Sequence, residues 1–469
     1  MKHTNKILLT TLVSIILQCG SSMAQPTYNS ALAGINNTPT AGIVRAYSPN
    51  FTVTCYYDNT PSIKSYFLIM NNVLSTASSQ IIPLSNMEIV TDMRIFNGYV
   101  YFCGADTNSN ACYGFVDIND FLWSPTLSST NVEYRELGVP ANHSRLTKMQ
   151  VYFDGAERLV AIGTEYITPA GSSSLIPATT TNSYTIPTDY EYFLVECTNP
   201  RNPSPVMNYL LVNWDNNDER PTDMVLTNSY LAVVGFDETN YTPVYIHKCQ
   251  KNDVINTFNN RYRYAVQACI SNPGPACCNM DPDVIAIANL TCDPTVYYNG
   301  ITTHVVKLQG MTNTNHQEFK TSDKTDLYEM VYYPANQELV MLTHYIFLPT
   351  STVDDHVFLR MKPYQSAPYM AIGVVENATT IKLEYRSIDK LGTNYFVATN
   401  GDYGFVKQAL AESTPLNCYK IDKWPIRVND PVTIIPDTPV YDKDIMPVNR
   451  NAPVEINRSD TIRLHCFQY

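Results

Sequence analysis

Thr91-Asp92-Met93-Arg94-Ile95-Phe96-Asn97-Gly98-Tyr99-Val100-Tyr101-Phe102-Cys103-Gly104 decides the fold, together with Tyr113-Gly114-Phe115-Val116-Asp117-Ile118 after a short polar loop. The stretch reads as three strands. Asp92 to Phe96 is the first. Asn97-Gly98 is a two-residue hairpin turn, because both residues tolerate the positive φ such a turn requires. Gly98 to Gly104 is the second strand and Tyr113 to Ile118 the third.

Variants of this phrase recur along the chain. Thr147-Lys148-Met149 opens one, answered by Arg158 to Gly163. Thr222-Asp223-Met224 opens another, answered by Tyr230 to Gly235. More divergent copies begin at Asp281, Thr325 and Thr380. The starts lie about 58 residues apart, somewhat longer than the roughly 40–50 residues of a four-stranded propeller blade. Loop insertions such as the Ser/Thr/Pro-rich run 168–188 absorb the surplus. A strand pair repeated this often cannot bury both faces alone, so neighbouring copies must stack. The expected fold is therefore all-β: a β-propeller of four-stranded blades, seven favoured and six the alternative. A β-sandwich array or a solenoid is the competing architecture.

Three further strands are expected at Phe51 to Tyr57, Ser65 to Met70 and Gln80 to Leu84, and a last one at Thr461 to Phe467. Pairing the last strand beside Phe51–Tyr57 would make a seventh blade and close the ring with the chain ends. Residues 25–50 read as a polar arm poor in pattern. The Pro- and Asp-rich segment 424–454 reads as a wrap around the outside without regular structure, within a single domain over residues 51–469.

Met1 to Ala24 reads as a signal peptide. Lys2, His3 and Lys6 precede the apolar run Ile7 to Leu17, and Ser22-Met23-Ala24 forms a small-x-small site before Gln25. Cys19 offers a lipoprotein alternative, which Gln18 disfavours. The apolar run is too short to span a bilayer, and no later run reaches that length. Export to the outside, the periplasm or the outer cell surface is expected. A net charge of −12 argues against nucleic acid as a partner.

Twelve cysteines are present, eleven of them after Ala24. In an oxidising compartment disulfides are the default. Cys103 and Cys112 flank one hairpin loop and are expected to pair. Cys55 and Cys466 would pair if the chain ends close the ring, with Cys418 an equal rival for Cys466. The adjacent Cys277-Cys278 does not make a zinc site.

The phrases with the Ser-Met-Ala-Gln processing site resemble secreted β-propeller-like proteins of Bacteroidetes-type bacteria. The resemblance rests on Ser22 to Gln25, on Thr91-Asp92-Met93 with Tyr101-Phe102-Cys103-Gly104, and on Gly114-Phe115-Val116-Asp117. It implies a source and a compartment, and no catalytic residues.

Chemistry is sparse in the sequence. Asp92, Asp223 and Asp326 recur at the head of the phrase and could ring a central channel. They read better as turn caps, because Lys148 and Lys382 break the series. Asp215-Asn216-Asn217-Asp218-Glu219 lacks the Gly and distal Glu of an EF-hand loop, and Asp354-Asp355-His356 lacks a second ligand pair. There is no Gly-x-Ser-x-Gly, His-Glu-x-x-His or phosphate loop. Tyr166, Tyr184 and Tyr190 could offer a stacking surface. Two functions remain. One is a non-catalytic, monomeric binding module for a protein or glycan, without cofactor. The alternative is a propeller hydrolase or lyase acting on extracellular polysaccharide, since paired carboxylates are set by space and not by spacing.

Overall fold

A computed structural model describes thirty-four strands within residues 27–468, with the connections at 84, 86, 97–98, 107–110, 118, 155, 199–205, 227–229, 251–257 and 283. The signal segment, the 168–188 insertion and the lipidation candidate Cys19 lie outside the described residues. The architecture is all-β. Its one described helix, α1 (Val254–Thr257), is a single turn.

Strand β1 (Thr27–Ala33) stands apart at first. The first sheet is β2 (Thr40–Ser48), β3 (Phe51–Tyr57), β4 (Ser65–Asn71) and β5 (Ser79–Pro83). The second is β6 (Met87–Phe96), β7 (Tyr99–Asp106), β8 (Ala111–Asp117) and β9 (Asn131–Leu137). The third is β10 (Ser144–Asp154), β11 (Ala156–Tyr166), β12 (Tyr190–Thr198) and β13 (Val206–Val212). The fourth is β14 (Glu219–Leu226), β15 (Tyr230–Asp237), β16 (Thr242–Gln250) and β17 (Asn260–Tyr264). The fifth is β18 (Pro273–Asp281), β19 (Val284–Asp293), β20 (Tyr298–Lys307) and β21 (His316–Lys320). The sixth is β22 (Thr325–Tyr333), β23 (Glu338–Ile346), β24 (Asp354–Met361) and β25 (Met370–Val374). The seventh is β26 (Glu384–Leu391) and β27 (Asn394–Asn400), with β28 (Val406–Gln408) packed beside β27. All pairings are antiparallel, and within each four-stranded sheet the strands lie in chain order.

The first strands of successive sheets touch: β2 with β6, β6 with β10, and so on through β14, β18, β22 and β26, which touches β2. The cores lie between facing sheets. Val53, Cys55, Phe102 and Tyr134 fill the space between the first and second sheets. Tyr101, Phe115, Phe193 and Tyr209 fill that between the second and third, and Ile162, Tyr192, Leu231 and Val233 the next. The apolar runs of the phrase are therefore covered on both faces.

Six of the seven first strands share a one-residue β-bulge, while β18 breaks register at two places. The register slips at Thr91 in β6, at Thr147 in β10, at Thr222 in β14, at Tyr328 in β22, at Arg386 in β26 and at Gly42 in β2. The bulged Thr91 and Thr222 donate their hydroxyls to the carbonyls of Cys103 and Val234 on the second strand. The bulge also explains the glycine that ends the second strand. A Cβ on Gly104 would lie 1.9 Å from the carbonyl oxygen of Ile89, and one on Gly163 2.3 Å from that of Arg145. The turn Asn97-Gly98 has positive φ at both residues, 54° and 80°, as its residue types require.

The ends of the chain depart from expectation. Residues 27–33 and 40–48 are not a patternless arm but strands, and β2 opens the first sheet. The polar residues of β1 conceal a strand held by its edges, since it pairs with β28 on one side and a C-terminal strand on the other. The proline-rich segment is also ordered. It supplies β29 (Ile426–Val428), β30 (Val432–Pro436), β31 (Tyr441–Asp444), β32 (Val448–Pro453) and β33 (Ile456–Arg458). These add a fifth, outer strand to β21, β17, β13, β9 and β5 in turn, so the segment passes the sheets in reverse order. It does wrap the outside, but as a belt of short strands. Pro436 and Pro453 stand at the last positions of β30 and β32, where a missing N–H costs the ladder least. The last strand, β34 (Thr461–Gln468), pairs with β1 and not with Phe51–Tyr57.

Candidate functional site: the charged cavity between the first strands

The residue after each bulge occupies one equivalent place. The series is Ile43, Asp92, Lys148, Asp223, Glu329 and Ser387. An apolar residue follows each: Val44, Met93, Met149, Met224, Met330 and Ile388, all buried. The next residue is Arg45, Arg94, Gln150, Val225, Val331 or Asp389. A first strand has an open edge on the side away from its own sheet, and the backbone groups there need partners.

Side chains of the preceding sheet supply them. Met149 donates its N–H to Asp92 at 3.1 Å, Ile388 to Glu329 at 2.8 Å, and Val44 to Ser387 at 3.2 Å. Each link joins the post-bulge side chain of one sheet to the apolar residue of the next. A second set runs through the carbonyls of those apolar residues. Arg45 Nε donates to Met93 at 2.7 Å, Arg94 Nε to Met149 at 3.0 Å, and Gln150 Nε2 to Met224 at 2.7 Å. Asp389 accepts the N–H of Ala46 at 2.7 Å. Lys148 has no acceptor to offer, and there Met224 turns its N–H to the neighbouring Asp223 at 2.8 Å.

Ion pairs overlie these links. Arg45 pairs with Asp92 at 3.2 Å and Glu329 at 3.1 Å, and Arg94 with Asp92 at 3.2 Å. Arg45, Arg94 and Glu329, together with Lys148, Gln150 and Asp223, line a cavity of about 220 Å³, and Asp92 lies behind its arginines. Burial works against the charge of Asp92, but Arg94, Lys148 and Arg45 outweigh it and hold the carboxyl below the usual range. Burial dominates at Asp223 and raises its carboxyl, with Lys148 and Arg94 opposing. Lys148 loses solvent too, yet Asp223, Asp92 and Glu329 keep its ammonium above its ordinary value.

The sequence pointed to part of this site. Asp223 lines the cavity, Asp92 pairs with two of its arginines, and Lys148 belongs to the same series and does not break it. Asp326 lies three residues ahead of the equivalent place, which Glu329 takes. Lys382 and Asp215 to Asp218 lie outside the described residues, as does Tyr184. Asp354, Asp355 and His356 are on β24, a third strand. Tyr166 and Tyr190 are register partners on β11 and β12. Arg45 and Ser387 were missed. Their strands carry Gly42 and Arg386 where the phrase has threonine.

The expected disulfides are not formed among the described thiols. Cys55, Cys103, Cys112, Cys197 and Cys249 are buried thiols. Cys103 lies opposite Tyr113 and Cys112 opposite Gly104, one pair apart, so the two point to opposite faces of their sheet. Cys103 packs against the third sheet and Cys112 against the first. Cys466 sits on β34, in register with Asn29 of β1, while Cys55 is on β3. Cys418 lies outside the described residues.

No protein-family model matches the chain, and no curated protein matches it. Among solved structures, a "putative 6-phosphogluconolactonase" from Bacteroides uniformis is similar over 88% of this chain and 100% of that one, at 10% identity and a TM-score of 0.41. A second protein with the same description, from Bacteroides fragilis, is similar over 88% of this chain and 99% of its own, at 13% identity and a TM-score of 0.40. Similarity at this level carries no argument about activity. No described helix is long and apolar enough to cross a membrane.

Proposed function

We propose that the chain is an exported seven-bladed β-propeller that serves as a non-catalytic binding module for a protein or glycan outside the cell, in the manner of the secreted Bacteroidetes-type proteins its phrases resemble. The touching first strands, from β2 round to β26 and back, support the seven-bladed ring, and the pairing of β1 with β34 supports closure by the chain ends. One observation carries the functional reading. Asp92, Glu329, Ser387, Arg45, Arg94 and Gln150 spend their hydrogen bonds on the backbone of the next sheet or on one another. Charges so committed hold a rigid scaffold together. Binding then falls to the loops at the two ends, where propellers place their ligand sites.

A second reading, a hydrolase or lyase on extracellular polysaccharide, is favoured by Asp92 and Asp223. Their carboxyls are pushed in opposite directions around Lys148, the pattern of an acid and base pair. A glycan-array screen and a pull-down with the mature chain, run beside polysaccharide turnover assays, separate the two. Saturable binding without turnover supports the module. Turnover that Asp223→Asn abolishes in a folded protein overturns it.

A further inference from the structure

Most post-bulge places serve the fold. Asp92, Glu329 and Ser387 accept an N–H of the next sheet, and Ile43 packs into the core. Lys148 does neither. Its ammonium cannot accept the N–H of Met224, which turns to Asp223. Among the described residues, no carboxylate comes within ion-pair distance of that ammonium and no acceptor within hydrogen-bond distance. A residue that breaks a local rule without gain to the fold marks a functional place.

Two further open groups stand beside it. Arg94 spends Nε on Met149 and Nη2 on Asp92, which leaves its Nη1 without a partner among the described residues. Gln150 spends Nε2 on Met224 and keeps its side-chain oxygen. Lys148 and Gln150 are two apart on β10 and so share one side of the strand. Arg94, from β6, bonds the residue between them. All three line the cavity. Across it the polar groups are engaged: Arg45 with Met93, Val44 and Asp92, Glu329 with Arg45, Ser387 and Ile388, and Asp389 with Ala46. Val225, Leu226 and Val331 make the rest of the wall apolar.

These features limit what can enter. The wall carries Arg45, Arg94 and Lys148 against Asp223, Glu329 and Asp389, with Asp92 behind, so it has no surplus of positive charge to draw an anion. A cation would need a carboxylate already spent elsewhere. The open groups are two donors and one acceptor, next to an apolar surface. A volume of about 220 Å³ is the liquid share of roughly seven waters, and lies below the roughly 300–1,000 Å³ of drug-sized sites. A sugar ring has the matching form, with hydroxyls round its edge and C–H groups on its face.

We propose that the cavity holds one neutral sugar residue, a free monosaccharide or the end of a glycan, whose hydroxyls bond Lys148, Arg94 and Gln150. Lys148 donates to ring oxygens, Gln150 accepts from a hydroxyl, and Val225 and Val331 cover the ring face. This site lies on the inner strands and is separate from the loop sites of the reading above.

The test is calorimetric titration of the full mature chain with glucose, galactose and mannose, each as free sugar and as methyl glycoside, with glucuronate as the charged counterpart. At least one neutral sugar is expected to bind one per chain with a dissociation constant of about 1 mM or tighter, within reach of a few hydrogen bonds to charged groups. Binding of the glycoside as well assigns the site to a glycan end, and binding of the free sugar alone to a monosaccharide. Lys148→Met should weaken binding about tenfold or more, the worth of one such bond. Lys148→Ser should do the same and melt no lower than the parent, because serine can accept the Met224 N–H as Ser387 accepts that of Val44. No binding by any neutral sugar at about 20 mM, well above that constant, overturns the proposal. So does tighter binding of glucuronate, binding that both variants leave unchanged, or a Lys148→Ser protein that melts well below the parent. A partner held by the loops would be unaffected by either variant, so the two readings fail separately.

Discussion

The Asp92 carboxylate accepts the N–H of Met149 on the next sheet at 3.1 Å while pairing with Arg45 of the preceding sheet at 3.2 Å. One side chain thus ties three sheets together. Asp92→Ala strands Arg45 and Arg94 in a cavity and leaves the Met149 N–H without its acceptor. Breaking one partner of a buried pair costs about 3–5 kcal/mol. Asp92→Ala should lose about that much in urea unfolding. Serine at the same place, which can still accept one bond as Ser387 does, should recover part of the loss.

The same residue sets part of the acid response. Its folded-state carboxyl titrates below the ordinary range, so its stabilisation is fully present above the unfolded value of about 3.9 and is lost as pH falls through the lower folded value. Asp223 has the opposite sign. Its contribution is present below the unfolded value and lost as pH rises through the raised folded one. Asp92→Asn should therefore flatten the fall in stability below about pH 4. Denaturant midpoints measured from pH 3 to 7 check this; curves for variant and parent that stay parallel would count against it.

Gly104→Ala places a methyl 1.9 Å from the Ile89 carbonyl oxygen, a backbone atom that cannot swing aside. The bulge at Thr91 must shift or the pair must open. The expected cost is about 1–3 kcal/mol or more, as for overpacking of a filled site. Gly155→Ala offers a contrast, because nothing lies within 4 Å there and only its φ of 71° resists the change. Thermal unfolding should rank Gly104→Ala as the more damaging of the two.

Removing residues from 426 onward uncovers the outer edges of β5, β9, β13, β17 and β21 at once. Bare edges pair with other chains. That truncation should scatter light at concentrations where the full mature chain stays clear. Removing only 461–469 should leave the five belt strands seated and shift aggregation less.

The buried thiols should be silent. Burial pushes Cys55, Cys103 and Cys249 well above the ordinary thiol range and Cys197 up to about 12. Native protein should react with a thiol reagent at none of these four positions, and all four should react in denaturant. Peptide mapping that finds Cys103 joined to Cys112 would refute the opposite-face arrangement.

How legible this was in the sequence varied with the physics. Strands buried on both faces announced themselves: Phe51–Tyr57 is β3 as expected, and Thr222-Asp223-Met224 sits where the first copy predicted. The fifth copy was read three residues early, at Thr325-Asp326, because Tyr328 replaces threonine at the bulge and Glu329 replaces aspartate. The sixth was displaced for the same reason, with Arg386 at the bulge. Periodicity reports apolar faces, and these bulges are defined by backbone register. The belt strands of three to six residues were hidden by their prolines. Their order comes from edges supplied by residues far away in the chain. The charged cavity was half visible, as carboxylates without their partners, because Arg45 and Glu329 meet only after folding.

The belt's reversed path sets a timetable for a chain that appears from its N-terminus. The fifth sheet, made late, receives its cover first, and the first sheet waits until Ile456–Arg458 arrives. The oldest edge is therefore the longest unprotected during synthesis. A holding factor that shields nascent strands would be needed most by the segment from Thr40 to Pro83, long before the molecule is whole.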